Sequence, residues 1–144
     1  MLPDKKFKYY KIDEYNSRKI IEEIKGTLEK DDRVTLAIIF GSFIELNSFR
    51  DIDIAVYGPK IDLEDVIEIS VKLEEKLKLP VDVVPMDKIA STFRYHILTR
   101  GQVILEKISG TYEALLSLTF DELDSLKMLK GSWGEQTRMS NRDQ

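Results

Sequence analysis

The sequence predicts an α/β protein in which a small mixed β-sheet is flanked by helices. Stretches with apolar residues at helical spacing alternate along the chain with short apolar, β-branched runs. The length of 144 residues fits a single domain. Apolar residues make up 42% of the chain and charged residues 33%, enough to build one core under a well-solvated surface.

The first half of the chain predicts one helix and two strands. Apolar residues at positions 20, 21, 24 and 28 share one helical face, so a helix is expected over 14–30. The run VTLAIIF at 34–40 is continuously apolar, as in a central strand covered on both faces. DIDIAVY at 51–57 is the second strand, and Gly58-Pro59 closes it.

The next segment predicts a helix followed by a third strand. Asp62 can cap a helix over 63–78. VDVVPM at 81–86 is the strand that follows. The apolar spacing predicts that the buried side of the helix carries Leu63, Val66, Ile67, Leu73 and Leu77.

The last part of the chain predicts further helices and an edge strand. A helix is expected over 87–100, with Asp87 as its cap, before an edge strand at 102–108. Apolar residues recur at helical spacing over 112–126, and the capping-box spacing of Thr119 and Glu122 leaves open one helix or two.

These elements predict three regions along the chain. Residues 1–108 form the main α/β domain, and residues 109–130 form a C-terminal helical extension. Residues 131–144 show no period and are expected to be a flexible tail.

Composition argues against several classes of protein. With 22 Lys and Arg against 26 Asp and Glu, the net charge is −4, which provides no basic field for a long nucleic acid. The absence of Cys excludes disulfides and Cys-based zinc sites. No apolar run is long enough to span a membrane, and the charged N-terminus does not match a signal peptide, so we expect a cytoplasmic protein.

Three carboxylates point to a metal site. Side chains two residues apart on a strand project to one face, so Asp51 and Asp53 project together. Asp82 is a third carboxylate, on the strand that follows. Carboxylates this close repel one another unless a cation lies between them, and Mg²⁺ fits such ligands. Three of them can hold two metal ions for phosphoryl or nucleotidyl transfer.

Gly41-Ser42 supplies a possible phosphate-binding turn at the end of the strand 34–40. Glycine lets the backbone turn sharply and approach a ligand closely. Ser42 can donate its hydroxyl and its N–H to a phosphate, and a short helix starting here would add free N–H groups.

These motifs together resemble a known family. GS at 41–42, DID at 51–53 and the lone Asp82 on the next strand resemble the minimal nucleotidyltransferases of the DNA polymerase beta superfamily. The stretch 81–106, where a helix with Arg and aromatic residues leads into GQVILE, resembles the second half of that family. The resemblance covers about residues 14–106.

The resemblance implies a nucleotidyltransferase fold and a metal-dependent enzyme. Gly41 and Ser42 would bind the nucleotide phosphates. Asp51, Asp53 and Asp82 would be the catalytic and metal-binding residues, with Asp82 helping to deprotonate the acceptor hydroxyl. The family transfers a nucleoside monophosphate, usually AMP from ATP, with two Mg²⁺ ions as expected cofactors.

The chain departs from the family pattern at one place. Eight residues, FIELNSFR, separate Ser42 from Asp51, fewer than the family usually has. The segment has no Gly, and Glu45 stands where a positive charge would help. Arg50 is therefore a candidate nucleotide-binding residue that could replace the missing charge.

Three functions remain open at this point. Small stand-alone members resemble antitoxins that adenylylate a tyrosine of a HEPN-domain toxin encoded next to them, so the first hypothesis is such a protein adenylyltransferase. The second is a degenerate nucleotidyltransferase fold that neutralises its partner by contact alone. The third is a small-molecule nucleotidyltransferase. A homo-oligomer is compatible with all three.

Overall fold

The structure is a computed structural model that describes residues 10–11, 13–46 and 48–142, and it places the side chains of these residues except 15 and 128–142. Its strands are β1 (Tyr10–Lys11), β2 (Leu36–Phe40), β3 (Ser48–Phe49), β4 (Ile52–Tyr57), β5 (Val81–Pro85) and β6 (Gln102–Glu106). Its helices are α1 (Glu14–Glu29), α2 (Ser42–Glu45), α3 (Leu63–Leu77), α4 (Ser91–Arg100) and α5 (Thr111–Arg142).

The main sheet has four strands in the order β5-β4-β2-β6. β4 and β5 are parallel, whereas β2 pairs antiparallel with both β4 and β6, so the sheet is mixed. The helix α3 provides the crossover that two parallel strands require. A separate pair of two-residue strands, β1 and β3, is antiparallel. The predicted α/β class, with a small mixed sheet between helices, is confirmed.

One face of the sheet packs against α1 and α3. Alternate residues of β2, β4 and β5 supply this layer, because side chains alternate between the two faces of a strand. Burying each such aliphatic side chain contributes about 1.5–3 kcal/mol. The core of this layer includes Ile24, Leu28, Ala37, Ile39, Ile52, Ile54, Ile69, Leu73, Val81 and Val83.

The opposite face packs against α4 and α5. Leu36, Ile38 and Phe40 of β2 meet Ile97 of α4 and Leu115 of α5 in this second apolar layer. The hydroxyl of Tyr112 donates a hydrogen bond of 2.6 Å to the carbonyl of Leu98 and ties the two helices together. This face also carries the candidate site, as described below.

Two helices begin as their sequences predict. The Asp13 carboxylate accepts a 2.8 Å hydrogen bond from the N–H of Asn16 at the start of α1. Asp62 caps α3 and forms a capping box with Asp65, each side chain accepting from the other residue's N–H.

The helix predicted over 87–100 begins later than expected. α4 starts at Ser91, after Ala90, because the Asp87 region forms a turn that the 3.1 Å bond from the N–H of Lys88 to the Pro85 carbonyl closes. The buried side predicted for α3 is also wrong in part. Leu63 and Ile67 are exposed, and Val66, Ile69 and Leu73 are the residues that face the sheet.

The C-terminal segment is one helix rather than two. The hydroxyl of Thr119 donates to the Leu115 carbonyl one turn back, as in a helix interior, and so does not cap a new helix. The backbone of 131–142, for which a flexible tail is predicted, continues as helix to Arg142, and residues 143–144 lie outside the described residues. No helix in the described part of the chain is long and apolar enough to cross a membrane.

Candidate active site

Three carboxylates lie together at one end of the sheet. Asp53, the second residue of β4, is directly in register with Asp82 on the parallel strand β5. On its other side Asp53 is opposite Phe40, the last residue of β2. Asp51 lies just before β4 and has the same parity as Asp53.

The alternation of the strands sets the direction of these side chains. Ile52 and Ile54 belong to the core against α1 and α3, so Asp53 between them projects to the other face. Asp82 lies between Val81 and Val83, which belong to that same core. Both carboxylates therefore share the face on which α4 packs.

Burial and neighbouring negative charge raise the proton affinity of Asp53 and Asp82. Burial first, and then the negative charges of Asp51 and Asp82, raise the pKa of Asp53 to about 7. Burial and the charge of Asp51 also raise the pKa of Asp82, although its side chain remains exposed to solvent. None of the three carboxylates forms an ion pair or hydrogen bond with another described residue. Within the part of the chain that the structure describes, no ion pair neutralises the charge of the cluster.

The donor set fits a hard divalent cation only in part. Its oxygens and its excess of negative charge suit Mg²⁺, which is commonly bound by one or two carboxylates together with substrate phosphates. Within the described ranges, however, no group of three His, Cys, Asp or Glu side chains is arranged to hold one ion. The predicted three-carboxylate metal site is thus not preformed, and one or two of these residues plus phosphate oxygens would have to complete each ligand shell.

Gly41 is held against Asp53 at the end of β2. Its φ of 81° lies in the region that favours glycine. A Cβ at this position would collide with the Asp53 carboxylate and would lie 3.3 Å from its Cγ. The turn thus brings its backbone directly against one carboxylate of the cluster.

Ser42 begins the short helix α2 immediately after this turn. The Leu46 N–H donates a 2.8 Å hydrogen bond to the Ser42 carbonyl at the end of this helix. The hydroxyl of Ser42 makes no hydrogen bond to another described residue, so it remains available to a ligand.

The shortened loop between Ser42 and Asp51 is packed against the domain. The rings of Phe43 and Phe49 meet edge to face with their centroids 4.9 Å apart, and both are buried. Phe49 also stacks on Tyr10 at 5.6 Å across the β1–β3 pair. Arg50 follows this anchored strand, is exposed, and lies one residue before Asp51.

Two aromatic rings, Phe40 and Phe93, lie beside the acidic cluster, and the sequence motifs did not indicate them as site residues. Phe93 of α4 meets Phe40 edge to face, with 5.7 Å between ring centroids and 78° between ring planes. In the sequence, Phe93 is only one aromatic residue on the helix that follows the strand of Asp82. Buried core residues show the same pattern, so the sequence does not distinguish Phe93 from them.

The chain belongs to the family described as Polymerase beta, Nucleotidyltransferase, which matches residues 22–109. This range contains the Gly41-Ser42 turn and all three aspartates. The predicted family resemblance is therefore confirmed. None of the curated proteins compared with the chain matches it significantly.

Solved structures with the same fold come from toxin–antitoxin complexes. A toxin–antitoxin complex MntA-HepT is 20% identical, with a TM-score of 0.62 over 88% of this chain and 99% of that chain. A toxin–antitoxin structure with AMP-PNP is 22% identical, with a TM-score of 0.66 over 85% and 98%. The tri-AMPylated Shewanella oneidensis HEPN toxin in complex with MNT antitoxin is 19% identical, with a TM-score of 0.62 over 82% and 98%. At these identities the likeness establishes the fold alone.

Proposed function

We propose that this protein transfers AMP from ATP to a hydroxyl group of a partner protein, in a metal-dependent reaction that releases pyrophosphate. The observation that carries the proposal is the contact of the Gly41 turn with Asp53, which is itself in register with Asp82. A phosphate-binding turn and an acidic cluster on one sheet end are the two parts that nucleotidyl transfer requires.

Each residue has a role in this reaction. Gly41 and Ser42 bind the phosphates of ATP, and Asp51 and Asp53 hold the metal. A bound Mg²⁺ would neutralise phosphate charge and position the α-phosphate. The acceptor oxygen attacks the α-phosphorus, the bond from that phosphorus to pyrophosphate breaks, and the proton of the hydroxyl passes to Asp82. The raised pKa of Asp82 makes its carboxylate a better proton acceptor.

The partner we propose is a HEPN-domain toxin encoded next to this gene, with a tyrosine as the acceptor. Support comes from the solved structures that share the fold, since they include a complex of MNT antitoxin with a tri-AMPylated HEPN toxin and a toxin–antitoxin structure with AMP-PNP. A reaction that consumes ATP and modifies a toxin encoded next to this gene supports the proposal that the protein acts in the cytoplasm.

The experiment is incubation of the protein with labelled ATP, Mg²⁺ and the neighbouring gene's product, followed by mass spectrometry for added AMP. Wild type should label the partner, and the Asp51→Asn/Asp53→Asn double variant should lower the rate at least about a hundredfold. Asp124→Asn, on the exposed side of α5, is the matched control and should keep full activity. An unlabelled partner after incubation with wild type contradicts the proposal.

A contact-only binding module is the second candidate. The observation that favours it is the short loop after Ser42, which carries the exposed carboxylate of Glu45 beside the expected phosphate site. This candidate predicts that the double aspartate variant neutralises the partner as well as wild type does. The adenylyltransferase proposal predicts that neutralisation is lost together with the label.

A further inference from the structure

Helix α4 is fastened to α5 along one side. The Arg94 side chain is buried, and its Nε donates a 2.7 Å hydrogen bond to the hydroxyl of Thr119. The Ser91 hydroxyl of α4 donates a 2.8 Å hydrogen bond to the Glu122 carboxylate of α5. The ring of Tyr95 meets Phe120 with centroids 5.8 Å apart. These contacts fix the position of α4 across the sheet.

Phe93 lies on a different side of α4. Residues two apart on a helix do not face each other, so Phe93 points away from the direction that Tyr95 takes toward α5. Its ring contacts Phe40, which is only 7% exposed, yet Phe93 itself remains 39% exposed. The exposed part of this rigid ring is therefore held in place by a buried neighbour.

The position of Phe40 connects this ring to the acidic cluster. Phe40 is the antiparallel partner of Asp53, and directly opposite residues have their Cβ atoms about 5 Å apart on the same face. Gly41, the next residue, contacts Asp53. The Phe93 ring is therefore separated by one side chain, Phe40, from the Asp53 carboxylate, which would hold the metal.

We infer that Phe93 is the platform on which the base of the nucleotide stacks. This inference rests on the proposed function. With the triphosphate at Gly41-Ser42 and the metal at Asp51 and Asp53, a nucleoside that lies on this face beside Phe40 would meet the exposed Phe93 ring. A flat apolar ring is the surface that a nucleobase binds by stacking. Since every base has a π-face, the platform contributes affinity for the nucleoside without selecting adenine.

The test measures binding of two probes, Mg-ATP and Mg-tripolyphosphate, by calorimetry. Phe93→Leu should weaken ATP binding about five- to a hundredfold, the range for loss of one base–aromatic stack, and leave tripolyphosphate binding unchanged. Phe93→Trp should restore ATP affinity because it restores an aromatic face. Tyr95→Leu is the matched control, because Tyr95 is 40% exposed on the same helix but packs on Phe120.

The outcomes separate this inference from the proposed function. If wild type binds ATP and Phe93→Leu binds it equally well, the platform is wrong and the proposed function is untouched. Equal losses for ATP and tripolyphosphate also overturn the platform, because they indicate a distorted phosphate site. If wild type binds ATP no more tightly than tripolyphosphate, the nucleoside contributes no affinity and the platform is again wrong. Failure of wild type to bind either probe overturns the proposed function and, with it, the platform.

Discussion

The backbone of Gly41 lies so close to the carboxylate of Asp53 that residue 41 has no room for a Cβ. This contact couples the turn after β2 to the acidic cluster on β4. Residue 41 also requires glycine because its φ is positive.

Gly41→Ala should therefore damage both stability and nucleotide binding. The backbone of residue 41, with φ 81° and ψ −159°, lies in a region used almost only by glycine and costs a residue with a Cβ about 1–3 kcal/mol, and the collision displaces Asp53 in addition. Chemical denaturation and ATP calorimetry measure the two effects. Gly26→Ala is the control, because Gly26 lies inside α1 with nothing within 4 Å of its added Cβ. That change should raise the free energy of unfolding by about 0.5–1 kcal/mol. A Gly41→Ala protein as stable as Gly26→Ala would contradict the close contact.

The Asp53 carboxyl should make the metal-free protein less stable as the pH rises. Its pKa is 3.8 ordinarily and about 7 in the native protein. Between these values the unfolded chain has released a proton that the native state keeps, so the free energy of unfolding falls with rising pH and levels off above about 7. Asp53→Asn should remove that part of the slope and raise the melting temperature at pH 8 in EDTA.

Thermal unfolding of wild type, Asp53→Asn and Asp124→Asn across this pH range is the measurement. The exposed Asp124 carboxylate should leave the slope as in wild type. Identical slopes in all three proteins would show that Asp53 has an ordinary pKa.

Mg²⁺ should stabilise the folded protein by binding to the acidic cluster. Binding to the native state alone adds about 2.7 kcal/mol when the free ion is at 100 times its Kd. Asp53→Asn should lose most of this gain, because it removes a central carboxylate of the cluster. The three carboxylates are not arranged to hold one ion by themselves, so the gain should increase when ATP supplies phosphate oxygens. Melting curves with Mg²⁺, ATP and both ligands test this, and an equal gain in wild type and variant would exclude the cluster as the binding site.

Part of this site follows from sequence alone because strands alternate with a period of two. That period places Asp51, Asp53 and Asp82 on one face once the two strands that carry them are recognised. The position of Gly41 at a strand end similarly indicated a close approach. The neighbour it approaches, Asp53, needed the register between β2 and β4.

Other features depended on tertiary contacts that a local pattern does not contain. α3 has two overlapping apolar stripes. Val66, Ile69 and Leu73 pack against the sheet, whereas Leu63 and Ile67 are exposed. Thr119 resembled a helix cap in sequence. Its partner is Arg94, 25 residues away, so its place inside a helix follows from packing of α4 on α5. The two-residue strands β1 and β3 are too short to show any period.

A second charge cluster, remote from the acidic end of the sheet, should protect the fold against acid. The guanidinium of Arg33 donates two hydrogen bonds to the Asp31 carboxylate, of 3.0 and 2.8 Å, and another of 2.8 Å to Asp65. The hydrogen bond from Arg33 lowers the pKa of Asp31 despite its burial. The stabilisation is therefore present above the ordinary value of 3.8 and is lost as the pH falls through the lower native pKa.

Asp31→Asn should lower the free energy of unfolding at neutral pH by about 1.5–3 kcal/mol, the range for hydrogen bonds to charged groups. Glu68→Gln, which alters an exposed partner of the same Arg33, should cost at most about 1 kcal/mol. Denaturant titrations at pH 7 and pH 3 compare the proteins. The difference between wild type and Asp31→Asn should shrink at pH 3, and a constant difference would mean that the charge of Asp31 is not its source.

Arg50 is the residue whose substitution should best separate an active nucleotide site from a degenerate one. It is exposed, directly precedes Asp51, and follows a loop whose only other charge is Glu45. If it contacts the triphosphate, Arg50→Ala should weaken ATP binding about tenfold or more, as expected for a charge-assisted hydrogen bond. Ser42→Ala should cost less, since one neutral hydrogen bond contributes only about 1 kcal/mol. Arg50→Lys should recover part of the loss through charge alone.

Calorimetry with Mg-ATP is the measurement, and Arg18→Ala, an exposed arginine paired with Glu14 in α1, is the control that should change nothing. ATP affinity that survives Arg50→Ala unchanged would mean that the shortened loop binds the triphosphate through Gly41 and Ser42 without a basic side chain from this loop.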